Sequence, residues 1–230
     1  MKITWLGQAG LMFEFKRKIL LVDPYLSDSV SKVDPDKHRR FEVDKKFLSV
    51  KPDYILLTHN HLDHTDTETL QNYLLRNEAV TVLASGNAWK NVRRFGGNNN
   101  YVLFDNGTTW SEHEVTCRAV YAEHSDEHAI GVIITVEDKN YYVTGDTLYN
   151  ERVFKSLPAI KFYAVFLPIN GEGNNMNKLD AALFATRIKA EHVVPIHFGM
   201  FDDINARDFL CDRKIIPQIY LPLKFSKDKT

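Results

Sequence analysis

Cysteine is nearly absent from this chain: two in 230 residues, Cys117 and Cys211. That excludes a disulfide framework, and both residues are expected to be buried reduced thiols, Cys117 in a strand-like stretch and Cys211 in a helix-like one. No apolar run approaches the roughly 20 residues that cross a bilayer, so no membrane association is expected. The N-terminus, Met1-Lys2-Ile3-Thr4-Trp5-Leu6-Gly7-Gln8, lacks the long apolar core and small-residue cleavage site of a secretory signal. A cytoplasmic location is the expectation from these gaps. Net charge is missing too: 29 basic and 30 acidic residues leave a formal charge of -1, which offers no global attraction to nucleic acid. No Pro/Gly/Ser-rich linker interrupts residues 1–230, so one domain with a sizeable core is expected.

What the chain does have is a concentration of metal-ligand chemistry. The segment His59-Asn60-His61-Leu62-Asp63-His64 sets three imidazoles and a carboxylate directly after the apolar run Tyr54-Ile55-Leu56-Leu57. Imidazole and carboxylate are the donors preferred by borderline divalent ions, and the spacing lets alternate residues face one ion while the following pair faces another. Two plainer readings compete. A histidine-rich tract can be a solvated loop, and Thr65 with Glu68 has capping-box spacing for a helix striped by Leu70, Tyr73 and Leu74. Capping accounts for Thr65 and Glu68 but gives His59, His61, Asp63 and His64 no role.

The rest of the chain alternates in a way that positions this turn. Strands are predicted over 2–6, 11–15 and 19–22, followed by a polar loop over 27–46 that includes Lys37-His38-Arg39-Arg40 and ends in a short helix. After the histidine turn come an apolar run over 80–84, a helix opening at Ser85 and a turn at Asn98-Asn99-Asn100. Strands follow over 115–121, 130–136 and 141–144. The last third reads as a strand over 164–169, a helix over 178–189 carrying Leu179, Leu183 and Ile188, a strand over 193–196 and a helix near 205–211. The strand-rich-then-helical pattern occurs twice, which suggests two similar halves.

Further ligand types close apolar runs just as His59 does. His124 follows 115–122, Asp146 follows Tyr141-Tyr142-Val143-Thr144-Gly145, and His197 follows Val193-Val194-Pro195-Ile196. Sites in α/β folds form where the carboxyl ends of strands converge, so four segments would deliver seven ligands to one place. Their arithmetic suits two divalent ions: His59, His61 and His124 on the first, Asp63, His64 and His197 on the second, and Asp146 bridging. His38, His113, His128 and His192 close no such run and are expected at the solvated surface.

In this order, His-x-His-x-Asp-His at 59–64, then His124, then Thr144-Gly145-Asp146-Thr147, then Pro195-Ile196-His197, the chain resembles the metallo-β-lactamase superfamily over nearly its whole length. The resemblance implies an α/β (α+β) αββα four-layer sandwich with the metals at one edge between the sheets. Trp5-Leu6-Gly7-Gln8-Ala9-Gly10, Asp23-Pro24-Tyr25-Leu26-Ser27-Asp28, Pro168-Ile169-Asn170-Gly171 and Asn175-Met176-Asn177 are similar to the L-ascorbate 6-phosphate lactonase-like branch. His61, where flavodiiron oxygen reductases carry glutamate, argues against that redox branch.

The expected activity is hydrolysis by a hydroxide activated between two divalent ions, zinc or manganese, with iron also admissible. Asp63 is the candidate proton shuttle. A small lactone or ester, phosphorylated or carboxylated, is the leading substrate class, with Asn170 and Asn177 as candidate contacts and Arg39 and Arg40 as a candidate clamp for an anionic group. A phosphodiesterase acting on cyclic nucleotides, phospholipid head groups or RNA ends is the second class, and a non-catalytic metal-binding protein on the same fold is the third. Self-association into a homo-oligomer is left open by the sequence.

Overall fold

A computed structural model describes residues 1–225. Three antiparallel strands open the chain, β1 (Lys2–Gly7), β2 (Gly10–Phe15) and β3 (Lys18–Val22). Between the last two, Lys16 and Arg17 sit at φ 42° and 67°, the doubly left-handed turn whose twist matches that of a hairpin. From β3 the sheet continues in parallel through β4 (Tyr54–Leu57), β5 (Thr81–Ala84) and β6 (Asn100–Leu103). The crossovers carry helices α1 (Lys45–Leu48), α2 (Thr67–Leu74) and α3 (Gly86–Val92).

The second half repeats this plan. Strands β7 (Thr109–Glu112), β8 (Val115–Tyr121), β9 (Ile130–Val136) and β10 (Lys139–Val143) are antiparallel. Glu137 and Asp138, at φ 51° and 58°, make the same tight turn as Lys16 and Arg17. Strands β11 (Ala164–Pro168) and β12 (His192–Ile196) then add in parallel, linked by α4 (Glu151–Ser156) and α5 (Lys178–Ile188). The two six-stranded sheets run β1-β2-β3-β4-β5-β6 and β12-β11-β10-β9-β8-β7.

Alternation decides the layers. Phe13, Leu20 and Leu56 from one sheet meet Val132, Ile134 and Phe166 from the other in a shared core, where the Phe13 ring stands edge-on to Tyr141 and Phe166 at 6.0 and 5.9 Å. Each such fully buried side chain contributes about 1.5–3 kcal/mol. On the outer faces, Ile55, Leu57 and Val82 pack on Leu70, Tyr73 and Ala88, while Val165, Leu167 and Val193 pack on Val153, Ala181 and Phe184. The result is the four-layer αββα sandwich expected. No helix among the described residues is long and apolar enough to cross a membrane.

Several local expectations change. The helix near 205–211 is a single 3-10 turn, Ala206–Asp208, ended because Phe209 takes an extended conformation that carries its ring fully into the core. Cys211 therefore lies outside any helix and is only half-buried, although both cysteines are free thiols and Cys117 is buried as expected. In α5 the leucine stripe faces outward: Leu179 and Leu183 are 69% and 52% exposed, and the helix instead buries Ala181, Phe184 and Ala185. The α2 cap is Asp66, whose carboxylate accepts from the Glu68 and Thr69 amides; Thr65 instead donates to the His59 carbonyl.

Candidate metal centre

The carboxyl ends of β4, β8, β10 and β12 meet along one edge of the sandwich and deliver His59, His124, Asp146 and His197 to a common point. Backbone strain helps aim them. Gln8, Asp23 and His197 are all left-handed, at φ 50°, 42° and 57°, a conformation that costs a non-glycine residue about 1–3 kcal/mol and persists only where the surroundings impose it. Here the surroundings do so: the His197 amide donates to the Gln8 carbonyl at 2.9 Å, and the Asp23 amide to the Leu56 carbonyl at 2.9 Å.

Asp146 reaches the site because Gly145 turns the chain at φ 62°, where a Cβ would stand 2.6 Å from the Ile130 carbonyl oxygen. Gly145→Ala is therefore expected to lower stability by about 1–3 kcal/mol or more in a urea titration and to weaken metal binding. Unchanged stability would show that this turn has more freedom than its packing allows.

The seven side chains fall into two groups, His59, His61, His124 and Asp146 in one and Asp63, His64 and His197 in the other, with donor atoms in each group within 4.8 Å of one another. In the first, the three imidazole rings form a near-equilateral triangle with centroids 4.6, 4.5 and 4.7 Å apart. Asp146 touches both groups: its Oδ2 is 4.0 Å from His59 Nε2 and 3.2 Å from His197 Nε2, and its Oδ1 is 3.3 Å from His64 Nε2. Asp146 thus stands between the two groups.

Two observations test whether metal ions fit. In the second group His197 Nε2 lies 3.3 Å from Asp63 Oδ2 and 3.4 Å from His64 Nε2. Four donors set tetrahedrally around an ion at about 2.0–2.1 Å stand about 3.3–3.4 Å apart, so these two separations suit a shared cation, while His64 Nε2 and Asp63 Oδ2 stand wider at 3.8 Å. In the first group, His59 Nε2 and His124 Nε2 are buried with no hydrogen-bond partner, a costly arrangement for polar atoms unless something else occupies the space between them. The residues fit a pair of divalent ions.

Hydrogen bonds behind the ligands select the tautomers. Asp23, fully buried, accepts from the Thr58 amide at 2.8 Å, from Thr58 Oγ1 at 2.6 Å and from His64 Nδ1 at 2.9 Å. Once neutral, His64 thus carries its proton on Nδ1 and turns the Nε2 lone pair inward. Because the single Thr58 hydroxyl proton goes to Asp23, its oxygen accepts from His59 Nδ1 at 3.1 Å, which fixes His59 in the same way. Asn175 donates to Asp146 Oδ2 at 2.8 Å while accepting from the Thr147 amide, and Gln8 Nε2 donates to Asp63 Oδ2 at 2.9 Å. Asp23, Asn175 and Gln8 had not been assigned roles from sequence.

The two groups differ electrically. Burial, with His64 next, holds His59 well below its ordinary pKa, and burial likewise lowers His124. For His64 burial pulls the same way, but Asp146, Asp63 and Asp23 together outweigh it and hold the ring well above the ordinary histidine range. His197 is raised to about 9, since Asp146 and Asp63 overcome its burial. Burial opposes ionisation of Asp63 and Asp146, yet the neighbouring His64 and His197 hold both carboxyls below the usual range.

A cleft of about 320 Å³ opens over the ligands, lined by Gln8, Lys37, Asn170, Asn175 and Glu172 among others. Asn170 lines it as expected. Asn177 does not; its side chain caps α5 by accepting from the Leu179 and Asp180 amides. Nor do the arginines form a clamp. The Arg39 guanidinium donates to the Tyr25 and Phe41 carbonyls and the Tyr220 hydroxyl, and Arg40 pairs with Asp203, so the loop places Lys37 in the cleft instead. His38 and His113 are exposed as expected, whereas half-buried His128 faces Asp105 at 3.3 Å and His192 packs on Tyr163 and Phe225.

Two mixed sheets that converge on a bridged cluster of imidazoles and carboxylates define a metal-dependent hydrolase of the metallo-β-lactamase fold. The chain belongs to the β-lactamase superfamily, whose domain model matches residues 18–198. It is 31% identical to a UPF0173 metal-dependent hydrolase of Ligilactobacillus salivarius, with 92% of each chain covered. A UPF0173 metal-dependent hydrolase of Bacillus subtilis is 30% identical, covering 89% of this chain and 88% of the other. Among solved structures, one described as a possible metal-dependent hydrolase from Veillonella parvula shares the fold at a TM-score of 0.79, with 16% identity and 96% and 98% of the two chains covered. An isothiocyanate hydrolase from Delia radicum gut bacteria superposes at 0.76, with 22% identity and coverage of 98% and 99%. These likenesses support a UPF0173-like hydrolase and do not single out the lactonase-like branch.

Proposed function

We propose that this hydrolase acts on a small lactone or ester of low charge. The cleft carries the proposal. Away from the metal ligands its walls include apolar Val30, Val33, Leu62 and Phe201, and Lys37 is its single cation against Asp34, Glu172 and Asp202. That composition suits a compact acyl group bearing at most one carboxylate. It disfavours the phosphorylated form of the substrate, and it equally disfavours phosphodiesters, which present their charge at the reacting centre. The complete set of seven ligands disfavours a non-catalytic role.

Bound at these positions, two divalent ions supply a nucleophilic hydroxide at neutral pH and an electrophile for the substrate oxygen. We propose zinc for both, because nitrogen donors dominate the two groups; manganese and iron are the alternatives that elemental analysis separates. The chain's own residues do the rest. Gln8, His64 and His197 all face Asp63 Oδ2, which leaves the other oxygen of this ionised, cleft-lining carboxylate to take the proton from the attacking oxygen once it has added to the carbonyl and to pass it to the departing alkoxide. Asn175 holds Asp146 in its bridging place, and Asn170 faces the substrate.

The test is elemental analysis of protein purified without added metal, followed by a panel of lactones, carboxylic esters, thioesters and phosphodiesters. Turnover of phosphodiesters alone would overturn the proposal. Within the panel, Lys37→Gln is expected to raise KM for carboxylated substrates by up to about fivefold, the scale of an exposed ion pair, with kcat and metal content unchanged. A KM increase of the same size for neutral substrates would remove Lys37 from charge recognition.

A further inference from the structure

We propose that Asp126 is a positioning residue for the first metal position, acting on two of its imidazole-bearing segments at once. It stands outside the ligand set, on the loop between β8 and β9. Its carboxylate accepts three hydrogen bonds: Oδ2 from the Asn60 amide at 2.9 Å, and Oδ1 from Asn87 Nδ2 at 2.8 Å and from the His128 amide at 3.0 Å. Asp126 itself lies two residues beyond His124 on the same loop. Asn60 is the residue between His59 and His61. One side chain therefore fastens the peptide joining two of the ligands to the loop that carries the third.

The geometry makes this selective. Asp23 reaches His64 directly and His59 through Thr58, but no hydrogen bond from Asp23 reaches His61 or His124. Asp126 bonds only on the first-position side, and the second-group residues Asp63, His64 and His197 are held by Asp23, Gln8 and Asp146 instead. The turn after His59 is further pinned where Asn91 Nδ2 donates to Asn60 Oδ1 at 2.6 Å. With Asp126 removed, that side-chain bond alone would tie Asn60 to the neighbouring loops, and the first two ligands would lose their fixed spacing from His124.

The inference rests on the two-position reading of the site, but its measurement is metal affinity rather than turnover, so a failed substrate panel leaves it standing. In Asp126→Asn one carboxylate oxygen becomes an NH₂ group facing amide donors. Competition titrations with Zn²⁺, and the absorption bands of Co²⁺ placed in the site, are expected to show first-position affinity lowered by about 10–100-fold, the usual cost of losing a partner behind a ligand, with the second position within about twofold of the parent. Asn87→Ala removes a donor to the same carboxylate without touching a ligand segment, and is expected to leave both affinities unchanged. Asp126→Glu keeps the charge and is expected to recover part of the loss; it also serves if the asparagine variant does not fold. Unaltered first-position affinity in both Asp126 variants, or equal weakening at both positions with a lower melting temperature, would overturn the assignment.

Discussion

Asp146→Ala is expected to empty both metal positions rather than one, and to lower kcat/KM by more than the roughly 10²–10³-fold that loss of a single preorganised donor costs. The expectation follows from its two oxygens, one 3.3 Å from His64 Nε2, the other 3.2 Å from His197 Nε2 and 4.0 Å from His59 Nε2. Removing it takes the only carboxylate from the first group and leaves His59 and His124 facing a buried gap. It also strips His64 and His197 of the charge that contributes most to raising them, so their rings lose that restraint together. Metal content per chain, measured by mass spectrometry after desalting, should fall from about two ions toward none. Retention of one full equivalent would mean that Asp146 serves a single ion and that the bridge is wrong.

Why the ligands were legible and their supports were not has a physical basis. His59, His124, Asp146 and His197 each follow an apolar run, where a polar residue is conspicuous, and His61, Asp63 and His64 crowd the turn after the first of them. The same rule applied to Asp23, which ends the strand beside the histidine turn, would have found the residue that orients His64. Gln8 and Asn175 carry no such signal, since amides in turns are common and only the fold shows that these two touch Asp63 and Asp146.

The polar loop shows the opposite failure. Lys37, His38, Arg39 and Arg40 are chemically similar, and nothing in a linear run says which side chain faces the cleft. The decision is made by Tyr25, Phe41 and Tyr220, which engage Arg39 over its donors and leave Lys37 on the cleft side. In α5 the period was read correctly but the face was not. Leu179 and Leu183 looked like the buried stripe, yet the sheet accepts Ala181, Phe184 and Ala185, whose small residues let the helix approach closely around one large ring.

The electrical difference between the two positions leads to an expected order of metal loss on acidification. His64 and His197 are both raised, His197 to about 9, so at neutral pH each ring holds a proton that an incoming ion must expel. Affinity at the second position should therefore fall by roughly one decade per pH unit below about pH 9 through the His197 proton, and more steeply wherever the His64 proton is displaced as well. In the first position His59 and His124 are lowered and already neutral at pH 7, and Asp146 is held ionised, so these groups release no proton on binding and affinity should stay nearly level between about pH 9 and 7. Lowering the pH at a fixed, limiting metal concentration should release the second ion well before the first, in two separated steps seen by Co²⁺ absorption and by anomalous scattering at the two positions. His197→Ala removes one of the two protons and should flatten the second-position slope by about one decade per pH unit. Release of both ions in one step, or of the first ion at the higher pH, would show that the carboxylates around His64 and His197 do not set the proton competition.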